Sequence, residues 1–221
     1  MLETYPSAGA LAEAAAHGVE AALAQGLRTR GRASLVATGG RSPGAVYDAL
    51  QGAKVDWARI IVTLSDERCV EPDAPEANTR LVRERLLRGE PAKAHFIPLW
   101  PESAEAALRA LLPFDAVLLG MGEDGHVASL IPGDPGLAAG LDPAGQALTR
   151  PVPAGLGSPP LPRITLTLAA LLQARAIFLL IAGDAKREVV ARAQAGADLP
   201  VRALLAQDRV PVRVLWAPEH S

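Results

Sequence analysis

The sequence predicts an α/β protein built on a doubly wound, mostly parallel Rossmann-like sheet with helices on both faces. Short, continuously apolar runs such as 116–119 and 176–182 recur along the chain. Strands buried on both faces read this way, whereas half-exposed strands alternate. Longer segments of helical period separate the runs, which is the β-α alternation of a parallel sheet. With 221 residues, 49% of them hydrophobic, the chain is long enough to form a single domain over 1–221 with its own core.

Taken in order, Ser7 is placed to cap a helix over 8–30, with Leu11, Ala15, Val19 and Ala22 along one face and Gly31 to end it. Strands are expected at 33–38, 59–64, 95–99, 115–119, 176–181 and 212–216. Helices are expected near 44–50, 78–87, 103–112, 167–173 and 185–195. The stretch 132–162 is crowded with Gly and Pro and has little periodicity. A loop that long inside a domain is a functional excursion, a mobile lid or a tolerated insertion.

Composition narrows the function classes. Lys and Arg number 22 against 24 Asp and Glu, so a general nucleic-acid binder, which needs a surplus of cations, is not expected and any basic site must be local. Of those 22, 19 are Arg and three are Lys, at 54, 93 and 186. The one cysteine, Cys69, excludes an internal disulfide and a thiolate-rich zinc site. Residues 1–6 lack a basic, apolar export signal, and no apolar run approaches the roughly 20 residues that span a bilayer, so the expectation is a cytoplasmic protein with no membrane partner.

In a doubly wound sheet, ligands bind beyond the carboxyl ends of the strands, so the chemistry is sought there. After the first strand, Gly39 and Gly40 permit a tight turn, Arg41 follows, Ser42 is a good N-cap, and Pro43 suits the first helical position. Such a loop offers free N–H groups to an anion, although an ordinary strand-to-helix turn reads the same. The second strand runs into Asp66, Glu67 and Arg68, with Asn78 a few residues on. Acids and an arginine beyond a buried strand form either a structural ion pair or a site where Arg68 forks to a ligand oxyanion. Cys69 beside them reads as packing, since no neighbouring histidine activates it.

The fourth strand enters a turn holding Gly120, Gly122, Glu123, Asp124, Gly125 and His126. Its glycines match a dinucleotide pattern, but two carboxylates beside a pyrophosphate, prolines at 132 and 135 and the lack of a strand-end acid about 20 residues on argue against that reading. His126 is the one histidine fixed in a glycine-bounded turn at a strand end, and an imidazole titrates near neutrality, as a general base requires. His17 reads as helix surface, His95 opens a strand and His220 lies in the tail. After the fifth strand, Lys186 falls in the first turn of a helix, where a cation opposes the macrodipole unless an anion sits between them. An anion cradle, an arginine, a lysine and an imidazole on one sheet edge suit acid–base work on a small phosphorylated substrate, with neither metal nor redox cofactor expected.

These residues also carry a family resemblance. The strings Thr-Gly-Gly-Arg-Ser-Pro at 38–43, Asp-Glu-Arg at 66–68 with Asn-Thr at 78–79, Gly-Met-Gly-Glu-Asp-Gly-His-Val-Ala-Ser-Leu at 120–130 and Arg-Ile-Thr-Leu-Thr-Leu at 163–168 resemble those of the 6-phosphogluconolactonases, in the same order over nearly the whole chain. The resemblance implies hydrolysis of 6-phosphoglucono-1,5-lactone to 6-phosphogluconate in the oxidative pentose phosphate pathway, by a cofactor-free enzyme acting as a monomer or small homo-oligomer. It matches His126 to the catalytic histidine, and the 39–42 loop, Arg68 and Lys186 to phosphate-handling positions. Asn78, Gly122 and Arg163 join the expected substrate contacts. Asp66 or Glu123 is expected to orient the imidazole, and N–H groups of the 122–125 turn or Arg68 to face the oxyanion. Arg41-Ser42 departs from the family's usual Ser-Thr, and Val127 and Ile131 stand for a usual Thr and Phe. The related amino-sugar-phosphate deaminases carry an acid and an amide after the same turn, where this chain has Ala128-Ser129-Leu130-Ile131-Pro132. A non-catalytic sugar-phosphate sensor is the other alternative.

Overall fold

The computed structural model describes residues 2–102 and 104–219. The chain opens with β1 (Leu2–Thr4) and α1 (Ala8–Arg30). It continues through β2 (Ala33–Ala37), α2 (Pro43–Leu50), β3 (Ile60–Leu64), β4 (Asp66–Arg68), α3 (Asn78–Arg85), β5 (His95–Phe96), α4 (Glu105–Leu111) and β6 (Ala116–Gly120). Then come α5 (Leu137–Gly140), β7 (Thr149–Val152), β8 (Arg163–Leu166), α6 (Leu168–Leu171), β9 (Ile177–Ala182), α7 (Asp184–Gln194), α8 (Pro200–Leu205) and β10 (Val212–Ala217).

α1 closes at both ends as its sequence requires. The Ser7 hydroxyl accepts the Ala10 N–H, and Gly31, in left-handed backbone, donates its N–H to Leu27. Leu11, Ala15, Val19 and Leu23 form its buried face, which packs on α2 and β2. Ala22, expected on that face, is only half-buried.

The central sheet has seven strands in the order β1-β10-β9-β6-β2-β3-β5, and its neighbours pair in parallel. All six expected strands lie in it. From β2 the chain moves to β3 and β5 on one side, then returns to β6 beside β2 and moves out through β9 to β10. The direction of winding therefore reverses between β2 and β6, where a doubly wound sheet opens a crevice at its carboxyl edge. β2, with β6 up to Leu119, is buried throughout, which explains the unbroken apolar runs.

Four strands were not legible in the sequence. β1 is a short edge strand of mixed character, paired with β10 in the register Leu2↔Val214. β4, β8 and β7 form a separate antiparallel sheet in that order. β4 is the charged string Asp-Glu-Arg and β7 lies among prolines, so neither has a strand's composition. Strand β5 stops at Phe96, short of the expected 95–99, ahead of Pro98, which has no N–H for a ladder. Ser103, expected to open a helix, and His220 lie outside the described residues.

The stretch 132–162 is only partly loop. It contains α5 and β7, the Arg150 guanidinium grips the buried Asp134 carboxylate, and Glu105 accepts the N–H groups of Leu148 at 2.9 Å and Thr149 at 3.1 Å. Its longest irregular part is 153–162, between β7 and β8. Among the described residues, no helix is long and apolar enough to cross a membrane.

Candidate active site

A cavity of about 480 Å³ opens at the sheet's carboxyl edge, where the winding reverses. His126, Asp66, Glu123, Arg68, Asn78, Arg163, Lys186 and the backbone-bearing Gly39, Gly40, Arg41, Ser42 and Gly122 all line it. His126 and Lys186, 60 positions apart in sequence, thus line one cavity because the strands that precede them, β6 and β9, end side by side. Among the described residues, no three His, Cys, Asp or Glu side chains converge as metal ligands.

The loop after β2 is anchored from beneath. The buried Tyr47 hydroxyl donates to Thr38 O at 2.6 Å and accepts the Thr38 N–H at 2.8 Å. Burial pushes the Tyr47 pKa up, against the pull of that hydrogen bond, so the phenol stays a neutral donor. Gly39 is required by contact, because a Cβ there would overlap the Asn78 amide. Asn78 is itself fixed by donating Nδ2–H to Asp66 O at 2.8 Å. The expected N-cap by Ser42 is not made. Ser42 already has helical backbone (φ −63°, ψ −37°) and forms no capping bond, so its hydroxyl remains on the cavity wall at the start of α2.

The two acids after β3 separate into different roles. Glu67 is buried, and its carboxylate accepts the N–H groups of Arg68 at 2.6 Å, Asn78 at 2.8 Å and Thr79 at 2.6 Å. It thereby satisfies the first donors of α3 from a neighbouring strand, which is structural work. Asp66 accepts the Ser65 hydroxyl at 2.8 Å and the Ser129 hydroxyl at 2.6 Å, with Arg163 Nη1 at 4.0 Å.

Pairing of β4 with β8 sets Arg68 directly opposite Arg163. Like charges placed so repel. The Arg163 pKa is lowered by burial and then by the Arg68 charge, with Asp66 opposing. The Nε of each arginine is buried and has no hydrogen-bond partner among the described residues. Lys186 and Arg41, at the same cavity, make no ion pair or hydrogen bond among the described residues. Arg68, Lys186 and Arg41, three cations with incomplete partners at one cavity, favour an anion there. Beside them, burial and the Glu67 charge push the Cys69 thiol up, which makes it a poor nucleophile.

The turn after β6 closes on itself: Gly122 N–H donates to His126 O and Gly125 N–H to Gly122 O, both at 3.0 Å. A Cβ on Gly122 would overlap the His126 ring, so this glycine lets the imidazole lie against the backbone. Asp124 Oδ1 accepts the His126 N–H at 3.2 Å and lies 2.6 Å from His126 Nδ1. This corrects the expectation that Asp66 or Glu123 orients the ring. Asp66 is engaged by two hydroxyls elsewhere, and Glu123 lines the cavity without bonding the imidazole. Burial raises the Asp124 pKa, but the hydrogen bond and charge of His126 and backbone N–H groups outweigh it and hold the carboxyl below its usual range. With Nδ1–H donated to Asp124, Nε2 is left as the acceptor. The signal for Asp124 was the Asp-Gly-His spacing, in which an Asp side chain bonds backbone two residues on.

The family model described as glucosamine-6-phosphate isomerases/6-phosphogluconolactonase matches residues 6–216. A 6-phosphogluconolactonase of Caulobacter vibrioides is 43% identical, with 98% of this chain and 97% of that one covered. One of Rhizobium meliloti is 39% identical, with 98% of each covered. The crystal structure of a 6-phosphogluconolactonase from Shewanella baltica superposes with a TM-score of 0.89 at 36% identity, covering 98% of this chain and 97% of that one.

Proposed function

The chain belongs to the family of glucosamine-6-phosphate isomerases and 6-phosphogluconolactonases, and from that premise we propose that it hydrolyses 6-phosphoglucono-1,5-lactone to 6-phosphogluconate, the lactonase step of the oxidative pentose phosphate pathway. One observation carries the reading: an imidazole with Nδ1 held by Asp124 faces a cavity that also presents a helix-start loop and cations without complete partners.

In this mechanism the 39–42 loop, Lys186 and Arg68 hold the phosphate, and Asn78 shapes the loop from behind. His126 Nε2 takes a proton from water as the water oxygen attacks the lactone carbonyl. Collapse of the tetrahedral intermediate breaks the bond to the ring oxygen, which receives that proton from His126 and becomes the C5 hydroxyl. The carboxylic acid formed then ionises. Asp124 stabilises the transient imidazolium and fixes its tautomer. The Gly122 and Gly125 N–H groups are engaged within their turn, so neither serves the oxyanion. The segment Ala128-Ser129-Leu130-Ile131-Pro132 supplies neither acid nor amide, which speaks against amine release from an amino sugar phosphate. A cytoplasmic setting goes with this proposal, supported by the single cysteine.

General-base assistance is typically worth about 10² to 10⁴ in rate. His126→Ala is therefore expected to lose roughly that factor in enzymatic lactone opening, measured above the spontaneous background on folded protein. A folded variant that turns over at the wild-type rate would remove His126 as the base.

A further inference from the structure

A buried polar thread runs along the cavity, from Thr38 through Asp66 to Arg163. The Thr38 and Ser65 hydroxyls lie 3.1 Å apart, Ser65 donates to Asp66 at 2.8 Å, and Ser129 donates to the other Asp66 oxygen at 2.6 Å. Arg163 Nη1 donates to Ser129 Oγ at 3.3 Å and Nη2 to Pro159 O at 2.8 Å. Arg163 is only 3% exposed, so the charged residue at the end of the thread is sealed into the protein.

Pro159 belongs to 153–162, the irregular segment that brings Ser158 to the cavity. Little else fastens it. Gly155 N–H donates to Pro160 O and Leu161 N–H to Pro159 O, both bonds internal to the segment, and Cys69 N–H reaches Pro162 O at 2.9 Å. Gly157 has φ +69°, and a Cβ on it would stand 3.0 Å from both Arg163 Nη2 and the Ile131 side chain. The segment therefore lies directly on the guanidinium. The two Nη groups of Arg163 are engaged within the protein, which suits a strut better than a ligand for a phosphate dianion.

We propose that Arg163 is a positioning residue, which holds the 153–162 wall so that Ser158 meets the sugar portion of the substrate. The proposal rests on the lactonase reading and departs from the sequence expectation that Arg163 contacts substrate. A residue that binds phosphate acts only on phosphorylated substrate. One that positions a sugar-contacting wall acts equally on a lactone with or without phosphate. Misplacing a contact by about 1 Å can reduce rate about 10²-fold.

The test compares wild type with Arg163→Met, Gly157→Ala, Ser158→Ala and the 158/163 double variant, on 6-phosphogluconolactone and on unphosphorylated gluconolactone. Arg163→Met and Gly157→Ala are expected to lower kcat/KM about 10- to 100-fold, by the same factor on both lactones. Ser158→Ala is expected to cost about tenfold alone and nothing further in the Arg163→Met background, since a displaced wall has already lost that contact. A loss confined to the phosphorylated lactone, or losses at 158 and 163 that multiply, would overturn the proposal. If Arg163→Met does not fold, the exposed Ser158→Ala decides: a tenfold loss on both substrates supports the wall, and wild-type rates on both reject it. Hydrogen exchange separates this inference from the lactonase reading. In Arg163→Met, or in Gly157→Ala should that variant alone fold, the Gly155 and Leu161 amides should exchange at least tenfold faster while β6 stays protected. Unchanged exchange at those two amides rejects the strut whatever the substrate is.

Discussion

The two ends of the central sheet both bury charge, and they handle it in opposite ways. At the amino end, between β2 and β6, Asp115 is 1% exposed and fully partnered. It accepts the Ser34 N–H at 2.9 Å, is gripped by the Arg30 guanidinium, and has Arg175 Nε at 3.7 Å. At the carboxyl end, Arg68 stands opposite Arg163 at the cavity with a buried Nε that finds no acceptor among the described residues. A charge whose partners all come from the chain is structural. One left short beside a cavity is waiting for a ligand. The same distinction works within the carboxyl end, where Glu67 is consumed by three N–H groups and Asp124 keeps its imidazole facing the cavity.

This contrast breaks most visibly at Asp115. Asp115→Ala strands the buried Ser34 N–H, while the solvent-accessible Arg30 turns to water, and should cost about 3 kcal/mol in urea unfolding while KM for the lactone stays at the wild-type value. A shift in KM would show that the two ends are not independent. Next in size, Gly39→Ala forces a Cβ into the Asn78 amide, with an expected loss of about 1–3 kcal/mol and, unlike Asp115→Ala, a higher KM for the phosphorylated lactone.

Smallest in stability, Asp124→Asn should lower kcat about tenfold with KM unchanged, well short of the roughly 10⁴-fold loss known where a buried Asp fixes a catalytic imidazole, because this one is half-exposed. Its pH signature has a definite sign. The folded-state pKa of Asp124 lies below the unfolded value of about 4, so its stabilising contact is complete above that pH and is lost as pH falls through the folded value. The stability difference between wild type and Asp124→Asn should therefore shrink below pH 4. A difference that instead grew on acidification would contradict the assignment.

What could be read from the sequence follows from how local each determinant is. The strands of the central sheet are written in single apolar runs, and the His126 turn in glycines within a few residues of it. Both were legible. The antiparallel sheet was not, because β4 is stabilised by pairing with a strand about a hundred residues away and not by its own Asp-Glu-Arg composition. Ser42 has a capping residue's chemistry but a helical residue's backbone, which only the structure shows. Asp66, Glu123 and Asp124 are equivalent as letters. Their division into an anchored carboxylate, a wall residue and the partner of His126 depends on Ser65 and Ser129 reaching Asp66 first. Asp115 read only as the first residue of a strand, since its partner Ser34 lies 81 residues away.

The central claim is that the incomplete charges at the carboxyl end form a phosphate-reading lactonase site. It is tested most directly by kcat/KM for 6-phosphogluconolactone set against kcat/KM for unphosphorylated gluconolactone on the wild-type protein. A separation of at least about 10²-fold in favour of the phosphorylated lactone is predicted, in keeping with charge-assisted bonds worth about 1.5–3 kcal/mol each. Equal values, or no turnover of the phosphorylated lactone above its spontaneous opening, would contradict it.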